Sequence, residues 1–119
     1  MAGDYTLAPL ARADLRDELH KQVQASIERG ARPLLGCEPV AGSHAGYAAS
    51  ILDNVGPGMP AYDEELFGPV AAIIRVRDEA EAVRVANDTR YGLSSAIFSR
   101  DVDAAMALAD RVEAGTVFL

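Results

Sequence analysis

Val70-Ala71-Ala72-Ile73-Ile74-Arg75-Val76 is a nearly continuous apolar run, the pattern of a strand covered on both faces. Asp78 follows as a helix cap, with Glu81 three residues on to complete a capping box. The helix so begun is expected to run to about Asn87. Leu93–Ser99 is a second apolar strand candidate. Asp101 caps another helix, in which Val102, Ala105, Leu108, Ala109 and Val112 share one face. Gly115 is placed to close that helix, and Thr116–Leu119 reads as a further strand. From Val70 onward the order is strand, helix, strand, helix, strand. That order predicts an α/β fold with a mainly parallel sheet and flanking helices.

Upstream of that run the signals are weaker. Leu15, Leu19, Val23 and Ile27 recur every four residues and predict an amphipathic helix. Asp14 is its expected cap, Asp17 lies at the third helical position, and Gly30 ends it. Leu34–Cys37 is a short strand candidate. A loop of small and turn-forming residues fills Glu38 to Gly46. Ala48–Leu52 is a strand candidate weakened by its alanines. Gly56, Pro57, Gly58 and Pro60 mark a rigid turn.

Composition narrows the class of protein. The 119 residues suffice for one domain with a modest core, and half of them are hydrophobic. With no Trp and only 6% aromatic residues, packing must rest on Ala, Val, Leu and Ile. A net charge of −7 argues against nucleic-acid or anionic-membrane partners, which need basic surfaces. The lone cysteine, Cys37, excludes an internal disulfide and a cysteine-rich zinc site. No apolar run is long enough to span a bilayer, and Met1 to Thr6 lack the features of a signal peptide. A cytoplasmic location is the resulting expectation. His20 and His44 read as surface residues, and no metal-ligand spacing, P-loop or G-x-G-x-x-G is present.

Glu64-Glu65-Leu66-Phe67-Gly68-Pro69-Val70 resembles the E-x-F-G-P-V motif of NAD(P)-dependent aldehyde dehydrogenases. The flanks agree with it. Gly58-Met59 precedes the motif at the family's spacing, and Ala86-Asn87-Asp88-Thr89-Arg90-Tyr91-Gly92-Leu93 resembles its A-N-x-x-x-Y/F-G-L. Ala96–Asp101 and Ala114-Gly115-Thr116-Val117 fit the elements that follow. Pro9-Leu10-Ala11 and Gly30-Ala31-Arg32-Pro33-Leu34-Leu35-Gly36 resemble, more loosely, the segment after the family's catalytic cysteine region. The resemblance spans the chain in order. It implies that residues 1–119 form a single, partial aldehyde dehydrogenase catalytic domain. The stretch from Gly58 to Val70 looks most like the succinate-semialdehyde branch. Ala49-Ser50 stands where the family usually has Pro-Thr, and is expected to loosen the loop around Tyr47.

The reaction implied is oxidation of an aldehyde to a carboxylic acid with NAD or NADP. It needs a thiolate nucleophile, oxyanion donors, a base for deacylation and a held nicotinamide. By the resemblance the nucleophile, base, oxyanion asparagine and pyrophosphate site all lie upstream, so no catalytic residue is assigned here. Cys37 sits in Leu35-Gly36-Cys37-Glu38, outside the family's G-Q-x-C motif, and the neighbouring carboxylate of Glu38 disfavours a thiolate. Glu65 matches the glutamate that accepts hydrogen bonds from the nicotinamide ribose. Phe67 matches the aromatic beside the nicotinamide ring, although core packing explains a phenylalanine equally well. Gly68 and Pro69 are expected to shape the turn into the strand.

Three expectations follow. The chain is a segment of a dehydrogenase, inactive in isolation; its terminal apolar strand reads as an element cut in the middle. Alternatively it is a non-catalytic protein that associates with itself or with dehydrogenase subunits, through exposed sheet edges and helix faces. In the third, it binds nicotinamide nucleotide weakly without catalysis.

Overall fold

The computed structural model describes residues 7–119. Met1 to Thr6, read above as lacking a signal peptide, lie outside them. The elements are α1 (Ala13–Glu28), β1 (Arg32–Leu35), β2 (Ser50–Asp53), α2 (Pro60–Asp63), β3 (Val70–Ala72), α3 (Glu79–Asn87), β4 (Ser95–Ala96), α4 (Val102–Ala109) and β5 (Val117–Phe118). They form two compact units, one ending at Arg75 and the other running Val76–Leu119.

The first unit holds the main core. The apolar stripe of α1 places Leu19 and Val23 out of solvent, with Leu15 and Ile27 half-buried. They meet Ala31, Cys37, Tyr47, Leu52, Val55 and Ala61. Each large aliphatic side chain so buried contributes about 1.5–3 kcal/mol. The helix begins one residue earlier than its expected cap, with Arg12 as N-cap and no side-chain bond to the free N–H groups. Asp14 therefore lies inside the first turn. There it accepts from the Arg12 guanidinium at 2.9 and 2.8 Å and faces the positive end of the helix.

The sheet order is β1-β2-β3, with β1 antiparallel to β2 and β2 parallel to β3. Strand β1 ends before Gly36, not at Cys37. Both residues are left-handed, with φ of 61° and 66°, and leave the pleat. A Cβ on Gly36 would collide with the Ala49 carbonyl. The alanine-weakened segment supplies the central strand, shifted to Ser50–Asp53, where Leu52 is buried in the core and Ser50 and Asp53 are buried polar residues bonded to neighbouring groups. The Ser50 hydroxyl donates to the Ala48 carbonyl and accepts from the Cys37 N–H, both at 2.7 Å. Asp53, 1% exposed, accepts from Arg32 and Arg75 at 2.7 Å each. Arg75, the Asn54 backbone N–H and Arg32 hold its carboxyl well below the usual range. The loop before β2 is not loosened: Tyr47 is 4% exposed, bridges to Pro39 and has its hydroxyl 3.1 Å from His20 Nδ1. His20 is accordingly half-buried against Tyr47 rather than a surface residue, while His44 is exposed.

Strand β3 departs most from expectation. It has three residues, Ala71 to Ile73 are exposed, and it pairs along one edge only among the described residues. An apolar run specifies a strand with two covered faces, which the described residues do not supply for Ala71 to Ile73.

In the second unit the caps form as expected. Asp78 accepts from the Glu81 N–H at 2.8 Å, and Asp101 from the Ala104 N–H at 3.0 Å. Glu81 returns its bond to the Arg77 N–H, and the Arg77 guanidinium draws its carboxyl down to about 2. The strands are shorter than Leu93–Ser99 and Thr116–Leu119, reduced to a parallel pair of two residues each. Helix α4 ends at Ala109 with Asp110 as its cap, so Gly115 does not close it. Gly115 instead donates to the Gly92 carbonyl at 2.9 Å and precedes β5, at a point where a Cβ would press on the Leu93 carbonyl. Of the expected α4 face, Ala105 is buried but Val102 is 65% exposed.

Candidate functional site

Glu65 and Phe67 lie on the turn between α2 and β3. Pro60 opens α2 at its first helical position, where a missing N–H costs nothing. Asp63 Oδ2 accepts from the Gly58 N–H at 3.0 Å and closes the approach to α2. After it, the Gly68 N–H donates to Leu66 O at 2.9 Å and the Val70 N–H to Gly68 O at 2.8 Å. Ser50 N then donates to Pro69 O at 2.9 Å, which joins the turn to the central strand.

One face of α1 carries this turn. Leu19, Gln22, Ser26 and Arg29 follow helical spacing, so they share a side of the helix. The turn runs along them in the opposite sense. Arg29 Nη1 donates to Gly58 O. Ser26 Oγ accepts from Ala61 N at 2.9 Å and donates to Gln22 O at 2.8 Å. Gln22 Nε2 donates to Glu64 Oε2 at 2.8 Å and to Glu65 O at 3.2 Å. Gly68 rests on Leu19, where a Cβ would collide with its Cδ2. Leu19 was read as part of the apolar stripe, but Gln22, Ser26 and Arg29 escaped the sequence reading, because contacts across 29 to 43 residues leave no local pattern. The carboxylate of Glu65 is exposed and has no hydrogen-bond or ion-pair partner among the described residues. The Phe67 ring is 63% exposed. It borders a shallow cavity of about 220 Å³ with Leu10, Ala11, Leu66 and Gly68. An unpaired carboxylate can accept from two vicinal hydroxyls, and an exposed ring can lie against a planar heterocycle.

Other candidates lead elsewhere. Cys37 is buried, its Sγ donates to Leu35 O at 3.2 Å, and burial pushes the thiol up, away from thiolate. A larger cavity of about 510 Å³ lies between residues 7–9 and 40–47, and neither Glu65 nor Phe67 lines it. Among the described residues no group of three or more His, Cys, Asp or Glu is placed to hold a metal. None of their helices is long and apolar enough to cross a membrane.

The aldehyde dehydrogenase family model matches residues 1–119. A succinate semialdehyde dehydrogenase [NAD(P)+] of Escherichia coli (strain K12) is 50% identical over 116 residues, covering 98% of this chain and 25% of that protein. The solved succinate-semialdehyde dehydrogenase of Burkholderia pseudomallei superposes with a TM-score of 0.91 at 32% identity, covering 98% of this chain and 24% of that one. That of Streptococcus pyogenes, solved with NADP+ as the cofactor, superposes at 0.86 with 36% identity, covering 99% of this chain and 26% of that one. The chain thus spans about a quarter of the length of these relatives. With motifs, topology and family model in agreement over its whole length, this chain belongs to the aldehyde dehydrogenase family.

Proposed function

We propose that these residues serve the NAD(P)-dependent oxidation of an aldehyde to a carboxylic acid, as the part of a catalytic domain that meets the nicotinamide end of the cofactor. The observation that carries this reading is the exposed carboxylate of Glu65, without a partner among the described residues, on a turn tethered by α1. Glu65 accepts the ribose hydroxyls, and Phe67 packs beside the ring. Bound nicotinamide supplies the hydride acceptor. The chain's own contribution is to orient that group and shield one side of it. Succinate semialdehyde is the favoured substrate, on the names of relatives such as those from Escherichia coli and Deinococcus radiodurans.

The nucleophile is supplied by other residues, because Cys37 is buried and held as a thiol. The active species is therefore an assembled enzyme, this chain together with the residues that bring the nucleophile and the pyrophosphate site. The test is reduced-nicotinamide production from succinate semialdehyde by the isolated 119-residue chain and by the assembled enzyme. No turnover is expected from the isolated chain. Turnover by the isolated chain that survives Cys37→Ser would contradict the account of the missing nucleophile. Turnover by the isolated chain that is lost on that change would make Cys37 the nucleophile.

A second reading concerns association. Leu93, Phe98, Val102, Met106, Phe118 and Leu119 are each more than half exposed. Apolar surface of this kind favours association with further protein, either dehydrogenase subunits or a second copy. Light scattering of the chain on dilution tests it, and a stable monomer counts against it.

A further inference from the structure

We propose that Gln22 is a positioning residue for cofactor binding, which fixes the Glu65 backbone so that its carboxylate is presented to the nicotinamide ribose. The proposal rests on the reading of Glu65 given above. A glutamine amide has two N–H donors and, on Nε2, no acceptor. Here both are committed to consecutive residues, one to Glu64 Oε2 at 2.8 Å and one to Glu65 O at 3.2 Å. The first bond is to a carboxylate and so is the stronger kind. The second sits on the peptide that immediately follows the Glu65 Cα, so it limits rotation of the very unit that aims the side chain. Neighbouring contacts leave this gap for Gln22 to fill. Ser26 holds Ala61 and Leu19 supports Gly68, but Glu65 itself receives no other bond from α1.

The glutamine also separates the two acidic neighbours. Its amide draws the Glu64 carboxylate toward α1. Glu65 is left as the carboxylate of the pair without a partner among the described residues. A residue of the same shape without donors, as in Gln22→Met, frees both. A carboxylate there, as in Gln22→Glu, faces Glu64 and the Glu65 carbonyl with no proton to give. Replacing Glu64 by Gln in that background returns an amide donor to the contact.

The test uses two readouts on one set of variants. Amide hydrogen exchange is followed at residues 65 to 68, and reduced-cofactor affinity is followed by fluorescence titration of the assembled enzyme, with KM for the aldehyde measured alongside. Loss of the two hydrogen bonds predicts that Gln22→Met raises exchange at these amides and weakens cofactor binding about fivefold. The aldehyde KM stays put. Gln22→Glu weakens binding further, and adding Glu64→Gln recovers part of the loss, while the unchanged aldehyde KM separates a cofactor-positioning role from general damage to the fold. Unchanged exchange in Gln22→Met overturns the tether. Raised exchange with unchanged cofactor affinity overturns the positioning role if Glu65→Gln still weakens binding. If Glu65→Gln also leaves binding unchanged, the reading of Glu65 fails and the proposal falls with it.

Discussion

The two units of this chain are built on opposite resources. The unit ending at Arg75 has a core, with Leu19, Val23 and Leu52 at 1%, 0% and 0% exposure. The unit from Val76 onward has clean local chemistry and little interior: both helices carry a bonded aspartate cap, yet Ala105 is the buried hydrophobic residue there among those described. Leu93 and Phe98 are 90% and 96% exposed. Capping satisfies helix ends at about 1 kcal/mol each, whereas burial of large side chains supplies several times that. The difference teaches that local signals can name an element's start while its stability waits on what covers it.

Substitutions in the two units should therefore diverge. The largest effect is expected from Leu52→Ala, at about 2–5 kcal/mol in chemical unfolding, since it opens a cavity in the central strand. Gly68→Ala should follow, at about 1–3 kcal/mol, because the new methyl group meets Leu19 and moves the site turn. Removing the Asp78 cap with Ala should cost about 1 kcal/mol and show as fraying of α3 in amide exchange. Phe98→Ala should change unfolding of a dilute sample by less than about 0.5 kcal/mol, as for an exposed surface position. A Phe98→Ala cost equal to that of Leu52→Ala would break the comparison and place Phe98 in a core. pH sharpens it further. The Asp53 carboxyl is depressed by Arg75, Asn54 and Arg32, so its stabilisation is present above the ordinary carboxylate range. That contribution is lost as pH falls through the folded value. Melting temperatures of wild type and Asp53→Asn should differ near neutrality and converge in acid.

The same contrast explains what the sequence made legible. Asp78 and Asp101 were readable because a cap needs only a residue and the N–H three positions on. The α1 stripe was readable because burial of Leu19 and Val23 follows helical periodicity. Strand limits were not. Leu34–Cys37 slipped to Arg32–Leu35 because two left-handed residues end the pleat, and left-handed Cys37 has no composition signal. The run from Val70 to Val76 carried an expectation of two covered faces that the described residues do not meet. In the site, the motif pointed to Glu65 and Phe67 but not to Gln22 or Ser26. Their partners are 35 to 43 residues away and are brought in by the fold.

The most direct test of the central claim is a titration of the assembled enzyme with reduced cofactor, comparing wild type with Glu65→Gln. The account predicts that this change, which halves the acceptor capacity offered to the ribose hydroxyls, raises the cofactor dissociation constant about tenfold and leaves the aldehyde KM unchanged. An unchanged cofactor dissociation constant would contradict it.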